Sequence, residues 1–227
     1  MTIRLGLVSV ATLGVAATSA LAQVPWSNAN GVGPFFNWTG GQSDLGRFGD
    51  PTLVGSTFNF FPTNFQAQSV NGTPDALSDR LQVRLTAHPN NRFTQIKITE
   101  FGSWSILGIG SVSDSGTMFL QDMITPRPPA INNLQTNPIM PINTPNSSGN
   151  WSGVTMIDLT SILGPDWTDL TLIFTNTLQA NSAAGSSASI HKKLVGGPSI
   201  VVEIFPTPGS LGVLGLGAVV AMRRRRR

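Results

Sequence analysis

Two histidines, two glutamates, five tryptophans and one short acidic loop carry most of the chemical potential of this chain. His88 and His191 each lack a second His or Cys at metal-ligand spacing, and neither opens an H-E-x-x-H helix. His191 precedes Lys192 and Lys193, which reads as a solvated basic strand edge. Gly149-Asn150-Trp151-Ser152-Gly153 has Trp where a nucleophile elbow requires Ser. No G-x-x-x-x-G-K phosphate loop and no dinucleotide fingerprint occurs. Glycoside hydrolysis needs two carboxyl groups facing one another across a cleft. Glu100 and Glu203 are the only glutamates and nothing in the sequence joins them, although a pair of Asp stays open. The balance points away from catalysis; the sequence predicts no catalytic residue.

Binding chemistry is better represented. An exposed indole offers a flat apolar face that stacks on a sugar ring, with its N–H as a polar handle. Of Trp26, Trp38, Trp104, Trp151 and Trp167, we single out Trp38, Trp104 and Trp151 as candidates for stacking on polysaccharide. Core filling is the competing role, and the commoner one for any single Trp. Asp44-Leu45-Gly46-Arg47-Phe48-Gly49-Asp50 places two carboxylates around two glycines, a loop able to wrap Ca²⁺ with oxygen ligands. It lacks the alternating Asp and Asn of an EF-hand, so a solvated turn competes with the metal, and no other cofactor is indicated.

The elements that must position these residues read as strands. In residues 80–85, Leu81, Val83 and Leu85 fall on one face and Arg80, Gln82 and Arg84 on the other, a half-buried strand with a wet side. The same alternation appears in residues 95–99 and 169–176. Residues 53–61, 103–112, 117–123, 152–159, 187–194 and 199–204 are further candidates, punctuated by Gly, Asn, Pro and Ser. One helical turn is expected over residues 160–163, capped by Asp158. About nine short strands without a long helix predict an all-β body, an antiparallel β-sandwich of jelly-roll or lectin-like kind. Residues 125–150 stand apart, with six Pro and six Asn. Missing amide donors keep such a stretch out of a sheet interior, so it reads as a crossover between sheets in preference to a binding loop.

Composition excludes several classes. With 227 residues the chain can bury a full core, and its 24 Gly and 16 Pro follow no collagen period. There is no Cys, hence neither a disulfide framework nor a lipid-attachment site. The net charge of +3 and the pI near 10.2 resemble those of a nucleic-acid binder. That charge sits at the ends: Arg4 and five terminal arginines carry much of it, while all 11 acidic residues fall between Asp44 and Glu203. The body is therefore mildly acidic and a poor partner for phosphate backbones.

The ends look like addresses. Arg4, an apolar stretch over residues 5–17 and Ala20-Leu21-Ala22 before Gln23 match the three regions of a secretory signal peptide. Export by a secretion translocon and removal of residues 1–22 by signal peptidase follow as expectations. At the other end, Pro206-Thr207-Pro208-Gly209 precedes an uncharged stretch over residues 211–222 and then Arg223, Arg224, Arg225, Arg226 and Arg227. Twelve residues make about 18 Å of helix, short of the roughly 30 Å hydrocarbon layer, and the arginines would stay cytoplasmic. The order Pro-x-Pro, short apolar helix, arginine cluster resembles the PEP-CTERM sorting signal. Thr207 stands where that family usually has Glu, which admits a variant processing enzyme as well as the standard one. The resemblance implies a membrane-embedded exosortase that recognises Pro206 and Pro208, a tail that transiently holds the membrane, and delivery of the body to the cell surface or exopolysaccharide matrix. The expected organisation is a signal helix (1–22), a sandwich body (23–205) and a sorting tail with a short apolar helix (206–227). The leading expectation for the body is a structural or adhesive unit, with carbohydrate binding as the alternative and a matrix hydrolase third.

Overall fold

The computed structural model describes residues 23–193 and 196–208. The signal segment with Ala20 and Ala22, Leu194, and the tail from Gly209 through the arginine cluster lie outside the described residues. Fifteen strands and one 3₁₀ turn are described. In chain order these are β1 (Val24–Pro25), β2 (Gly31–Val32), β3 (Phe36–Ser43), β4 (Thr52–Val54), β5 (Thr57–Phe60), β6 (Gln66–Val70), β7 (Asp75–Ala87) and β8 (Asn91–Leu107). There follow β9 (Gly110–Asp122), β10 (Ala130–Asn133), β11 (Gln135–Asn137), β12 (Ser147–Asp158), the turn at Leu159–Ser161, β13 (Asp169–Ser182), β14 (Ser187–His191) and β15 (Ile200–Pro208).

All pairings are antiparallel. One sheet runs β1-β3-β7-β13-β9-β10, with β2 on β3; the other runs β11-β12-β8-β15-β5-β4, with β14 and β6 continuing it beside β8. Period-2 alternation aims one side of each strand into the space between the sheets. Leu170, Leu172, Phe174 and Leu178 of β13 meet Leu81, Val83 and Leu85 of β7 there, and Ile96 and Ile98 of β8 close the core from the opposite sheet. Phe36 and Trp38 on β3 touch Phe58 on β5 at ring-centroid distances of 6.1 and 5.4 Å, so the layers interlock through aromatic edges. Each fully buried Leu, Ile or Phe contributes about 1.5–3 kcal/mol relative to exposure, and this single core holds the layers together.

The expected all-β, antiparallel body is what the chain forms, with no α-helix among the described residues. The expected strand 95–99 and the first half of 103–112 are in fact one strand, and the second half of 103–112 is the turn and the start of β9. β8 passes straight through Gly102 and turns only at Gly108, whose φ of +79° suits the tight reversal into β9. Gly102 looks like a breaker in sequence but pairs with Trp151 in the sheet, leaving room for the indole. The turn after Asp158 forms over Leu159–Ser161, capped by the Asp158 carboxylate, which accepts from the Thr160 N–H at 2.9 Å.

The Pro-rich stretch is a crossover. β10 pairs with β9 in one sheet, and two residues later β11 pairs with β12 in the other. Leu134 sits at the switch, over Gly153, and closes that side of the sandwich. Arg127 anchors its start. The guanidinium lies 2.5 Å from Asp122, donates to the Pro165 carbonyl at 2.9 Å and stacks 4.3 Å from the Trp167 ring. Burial works to raise the Asp122 carboxyl. The Thr125 and Ile124 N–H groups and Arg127 outweigh it and hold the group below the usual carboxylate range.

Candidate functional site

Two features have a geometry beyond folding: an open cup at one sheet edge and a sealed cluster of charges under it. The cup exists because the crossover leaves β9 unevenly covered. β10 follows β9 only from Thr117 to Leu120, and Ile142 touches it again at Val112. Between these points the chain arches to the other sheet, and the Asp114 N–H meets only the Met140 sulfur at 3.2 Å. The resulting space is about 490 Å³, within the roughly 300–1,000 Å³ of ordinary small-molecule sites.

Its floor is the outer face of β9 and β13, where register places Thr117 beside Thr175 and Ser115 beside Thr177. Its wall is Asn133, Gln135 and Thr136 from the crossover, and its rim includes Ile139, which is 87% exposed, and Met140. The Thr117 hydroxyl donates to Asn133 Oδ1 at 2.9 Å, which turns the Asn133 NH₂ outward as a donor. Hydroxyls and amides that both donate and accept, beside an apolar lip, suit a polyol whose O–H groups alternate with C–H surface.

The sealed cluster lies on the inner side of the same strand. Glu100 of β8, Asp114 of β9, Asn176 of β13 and Lys192, just past β14, converge between the sheets. The Lys192 ammonium donates to Glu100 Oε2 at 2.6 Å and stands 3.7 Å from Asp114 Oδ1, and all three side chains are fully buried. Asn176 Nδ2 donates to the same Glu100 oxygen at 2.8 Å. Phe65 and Trp151 flank the ammonium, their centroids 5.2 and 4.9 Å away. Burial pushes the Glu100 carboxyl up to about 8, with Lys192 opposing, and burial likewise raises Asp114.

The solvated edge expected at Lys192 is thus a correction. Ala188 and Ile190 point inward on β14, so alternation carries Lys192 inward too, while His191 stays on the outer face against the Ser103 hydroxyl at 2.7 Å. Burial, then Lys193, lowers the His191 pKa. Among the described contacts no carboxylate joins the Ser103–His191 pair. Glu100 and Glu203 lie on opposite faces of one sheet, Glu203 pairing with Lys97 at 2.8 Å on the outside. Two facing carboxyls do occur, Glu100 and Asp114, with both side chains shielded from solvent.

Two of the three candidate sugar-stacking faces, Trp38 and Trp151, are also corrected. Trp38 and Trp151 are 6% and 3% exposed, held inside because both sit on inward positions of β3 and β12. Trp104 is half-buried against the same core. In the acidic loop, Asp44 pairs with Arg80 at 3.1 Å and Asp50 accepts from the Ser27 N–H at 2.8 Å. These carboxylates serve the turn and do not converge on a Ca²⁺ position, and no group of three His, Cys, Asp or Glu suited to a metal occurs among the described residues. Pro206, Thr207 and Pro208 form the end of β15, paired with Phe93, Arg92 and Asn91. The strand therefore runs three residues past the expected body boundary. Gln23 begins the described chain and donates to Asp44 at 3.2 Å.

No protein-family model and no curated protein matches this chain. Among solved structures it is similar to TmCBM61 in complex with β-1,4-galactotriose, at 8% identity and a TM-score of 0.23, over 82% of this chain and 100% of that one. It is also similar to a family 11 carbohydrate-binding module from Clostridium thermocellum in complex with a β-1,3-1,4-mixed-linked tetrasaccharide, at 10% identity and a TM-score of 0.18, over 66% and 90%.

Proposed function

We propose that this chain is an exported, non-enzymatic β-sandwich of lectin-like kind that binds polysaccharide through the cup between β9, β13 and the crossover. The observation that carries the reading is the cup's lining: four hydroxyl side chains on a flat floor, two carboxamides on the wall and an apolar rim, in about 490 Å³. Such a surface matches the alternating O–H and C–H groups of a sugar, and it lacks the concentrated positive charge a nucleic acid would need. Without an exposed indole in the cup, affinity per sugar is low, and binding to a polymer gains through repeated engagement.

Delivery belongs to the same proposal. Residues 1–22 would direct export and be removed by signal peptidase. The tail, with its Pro206-Thr207-Pro208-Gly209 motif and arginine cluster, would pass through an exosortase-like enzyme to the cell surface or matrix. A structural or adhesive role for the body is the second reading, favoured by the buried charge cluster that pins the two sheets to one another. Retention on immobilised polysaccharides decides between the two. A binder is retarded by at least one polymer and released by soluble oligosaccharide; a purely structural unit runs unretarded on all of them.

A further inference from the structure

Lys192 and Asn176 present a primary amine and a carboxamide to one and the same carboxyl oxygen. Glu100 Oε2 accepts from Lys192 Nζ at 2.6 Å and from Asn176 Nδ2 at 2.8 Å. The amine is walled by Phe65 and Trp151, and the amine and carboxyl side chains are fully shielded from water. Around them Glu100 Oε1, Asn176 Oδ1 and Trp151 Nε1 make no hydrogen bond, and Asp114 meets the ammonium only at 3.7 Å. A core that holds two carboxyls, one ammonium and this many unsatisfied atoms is expensive as an ion pair, and a reaction that removes charge relieves it. A nucleophile, an acyl group with a leaving nitrogen, and a proton carrier touching both are the parts of an aminolysis.

We propose that Lys192 Nζ and Asn176 Cγ condense to an intramolecular amide that staples β13 in one sheet to the end of β14 in the other. A proton first passes from the Lys192 ammonium to Glu100, giving a free amine beside a carboxylic acid. The amine lone pair attacks Asn176 Cγ, forming the new C–N bond. The amine then gives up one proton to Asn176 Nδ2, the Cγ–Nδ2 bond breaks, and the departing ammonia takes the Glu100 proton and leaves as ammonium. Lys–NH₃⁺, Glu–COO⁻ and Asn–CONH₂ thus become Lys–NH–CO–Asn, Glu–COO⁻ and NH₄⁺, with atoms and charge balanced and no oxidant required. Glu100 is the catalytic residue, since it touches both the nucleophile and the leaving nitrogen. Asp114 faces Asn176 and Glu100, and its burial favours a protonated carboxyl, able to donate to Asn176 Oδ1 as negative charge gathers there. Holding both reactants on one carboxyl oxygen replaces a bimolecular encounter with a unimolecular step, which is how an unactivated amide becomes reactive. The chain has no Cys, so this bond supplies the covalent link between layers that a disulfide would give elsewhere.

Mass spectrometry of the folded, then denatured, full chain tests this. The expected mass is about 17 Da below that of the same chain with Lys192→Arg, after allowing for the substitution, the difference being one ammonia. Chymotryptic cleavage after Leu178 should leave the Asn176 and Lys192 peptides joined. Glu100→Gln should restore the full mass. If that variant does not fold, a refolding time course of the unsubstituted chain serves instead, with the 17 Da loss appearing only after the sheets form. An unchanged mass with separable peptides overturns the proposal. A loss of about 18 Da with Lys192 joined to Asp114 overturns the choice of Asn176 as acyl partner.

Discussion

Glu100 on β8 and Asn176 on β13 meet across the interior of the sandwich at 2.8 Å, each fully enclosed. The surrounding core is apolar and tolerates sliding, because hydrophobic burial has no direction. A hydrogen bond between opposing sheets does have one, and it admits a single register of β8 against β13. Lys192, just past β14 in the same sheet as Glu100, adds a second tie by facing Asp114 on β9 at 3.7 Å, so the polar cluster works as the registration point of the two layers.

The cluster predicts how stability depends on pH. Glu100 is raised by burial to about 8 from an ordinary 4.5, so between these values the folded protein holds a proton the unfolded chain has released. Stability from this group is therefore complete below about 4.5 and is lost as pH rises through about 8. His191, lowered by burial, acts oppositely below about 6.5, where the unfolded chain binds the extra proton. Above about 6.5 His191 no longer contributes and Asp114, raised by the same burial, acts in the direction of Glu100, so between pH 6.5 and 8 stability should fall by about 1.4 kcal/mol per pH unit for each proton the folded state holds. Urea unfolding across that range measures it, and Glu100→Gln should flatten the slope. Amide formation at Lys192 leaves the sign unchanged, since it removes the positive charge that opposes the rise.

Gly102 lies opposite Trp151, and a Cβ there would run into the Trp151 indole and the His191 carbonyl oxygen, neither of which is a flexible tip. Gly102→Ala should destabilise by about 1–3 kcal/mol through overpacking, with the loss visible as a lower urea midpoint. Gly55→Ala is a contrasting control. Its φ is +62° with nothing within 4 Å, so only backbone strain of about 1 kcal/mol applies.

The alternation in residues 80–85, 95–99 and 169–176 made the central strands of both sheets legible, since each buries one face and wets the other. β3 and β6 were not legible, because Gly40 and Gly41 in one and Gln66, Gln68 and Ser69 in the other dilute that pattern. The inward course of Lys192 was available from Ala188 and Ile190 at spacing two, but adjacent Lys193 made solvation look the simpler account. Its partners were hidden for a different reason: Glu100 lies 92 residues away and Asn176 joins Glu100 across 76, distances over which no local pattern carries information. The cup was equally hidden, being made by where the crossover leaves one sheet for the other.

Arg127 separates buried, stacked packing from ordinary surface pairing. Its side chain is 10% exposed between Asp122 and the Trp167 ring, whereas Arg80, paired with Asp44, is 41% exposed. Lys cannot supply the planar stack while also reaching both Asp122 and the Pro165 carbonyl. Arg127→Lys should cost about 1–3 kcal/mol in urea unfolding, and Arg80→Lys no more than about 0.5 kcal/mol.

In the cup, Asn133 and Gln135 supply the wall amides while contributing little to the core. The double substitution Asn133→Ala and Gln135→Ala should leave the urea midpoint within experimental error and weaken polysaccharide retention about tenfold, the loss of roughly one to two hydrogen bonds. Equal retention of the variant and the unsubstituted chain in affinity electrophoresis would place binding elsewhere.

The end of β15 would constrain the proposed processing of the tail. Pro206, Thr207 and Pro208 are not a free linker: they pair with Phe93, Arg92 and Asn91 of β8, after a register shift at Phe205. The Thr94 hydroxyl donates to the Phe205 carbonyl at 2.8 Å and fastens the strand just before that shift. An enzyme that cuts an extended, accessible backbone has to peel those residues from β8, at the cost of the pairing, or else cut beyond them. When folding precedes processing, the mature C-terminus should therefore fall after Pro208, with β15 complete. Mass spectrometry of the protein recovered from the cell surface reads this directly, together with a mature N-terminus at Gln23. A C-terminus at Phe205 would mean that the tail is removed before β15 closes onto β8. Deleting the arginine cluster should release the body unsorted into the medium, and its normal recovery at the surface after that deletion would refute a sorting role for those charges.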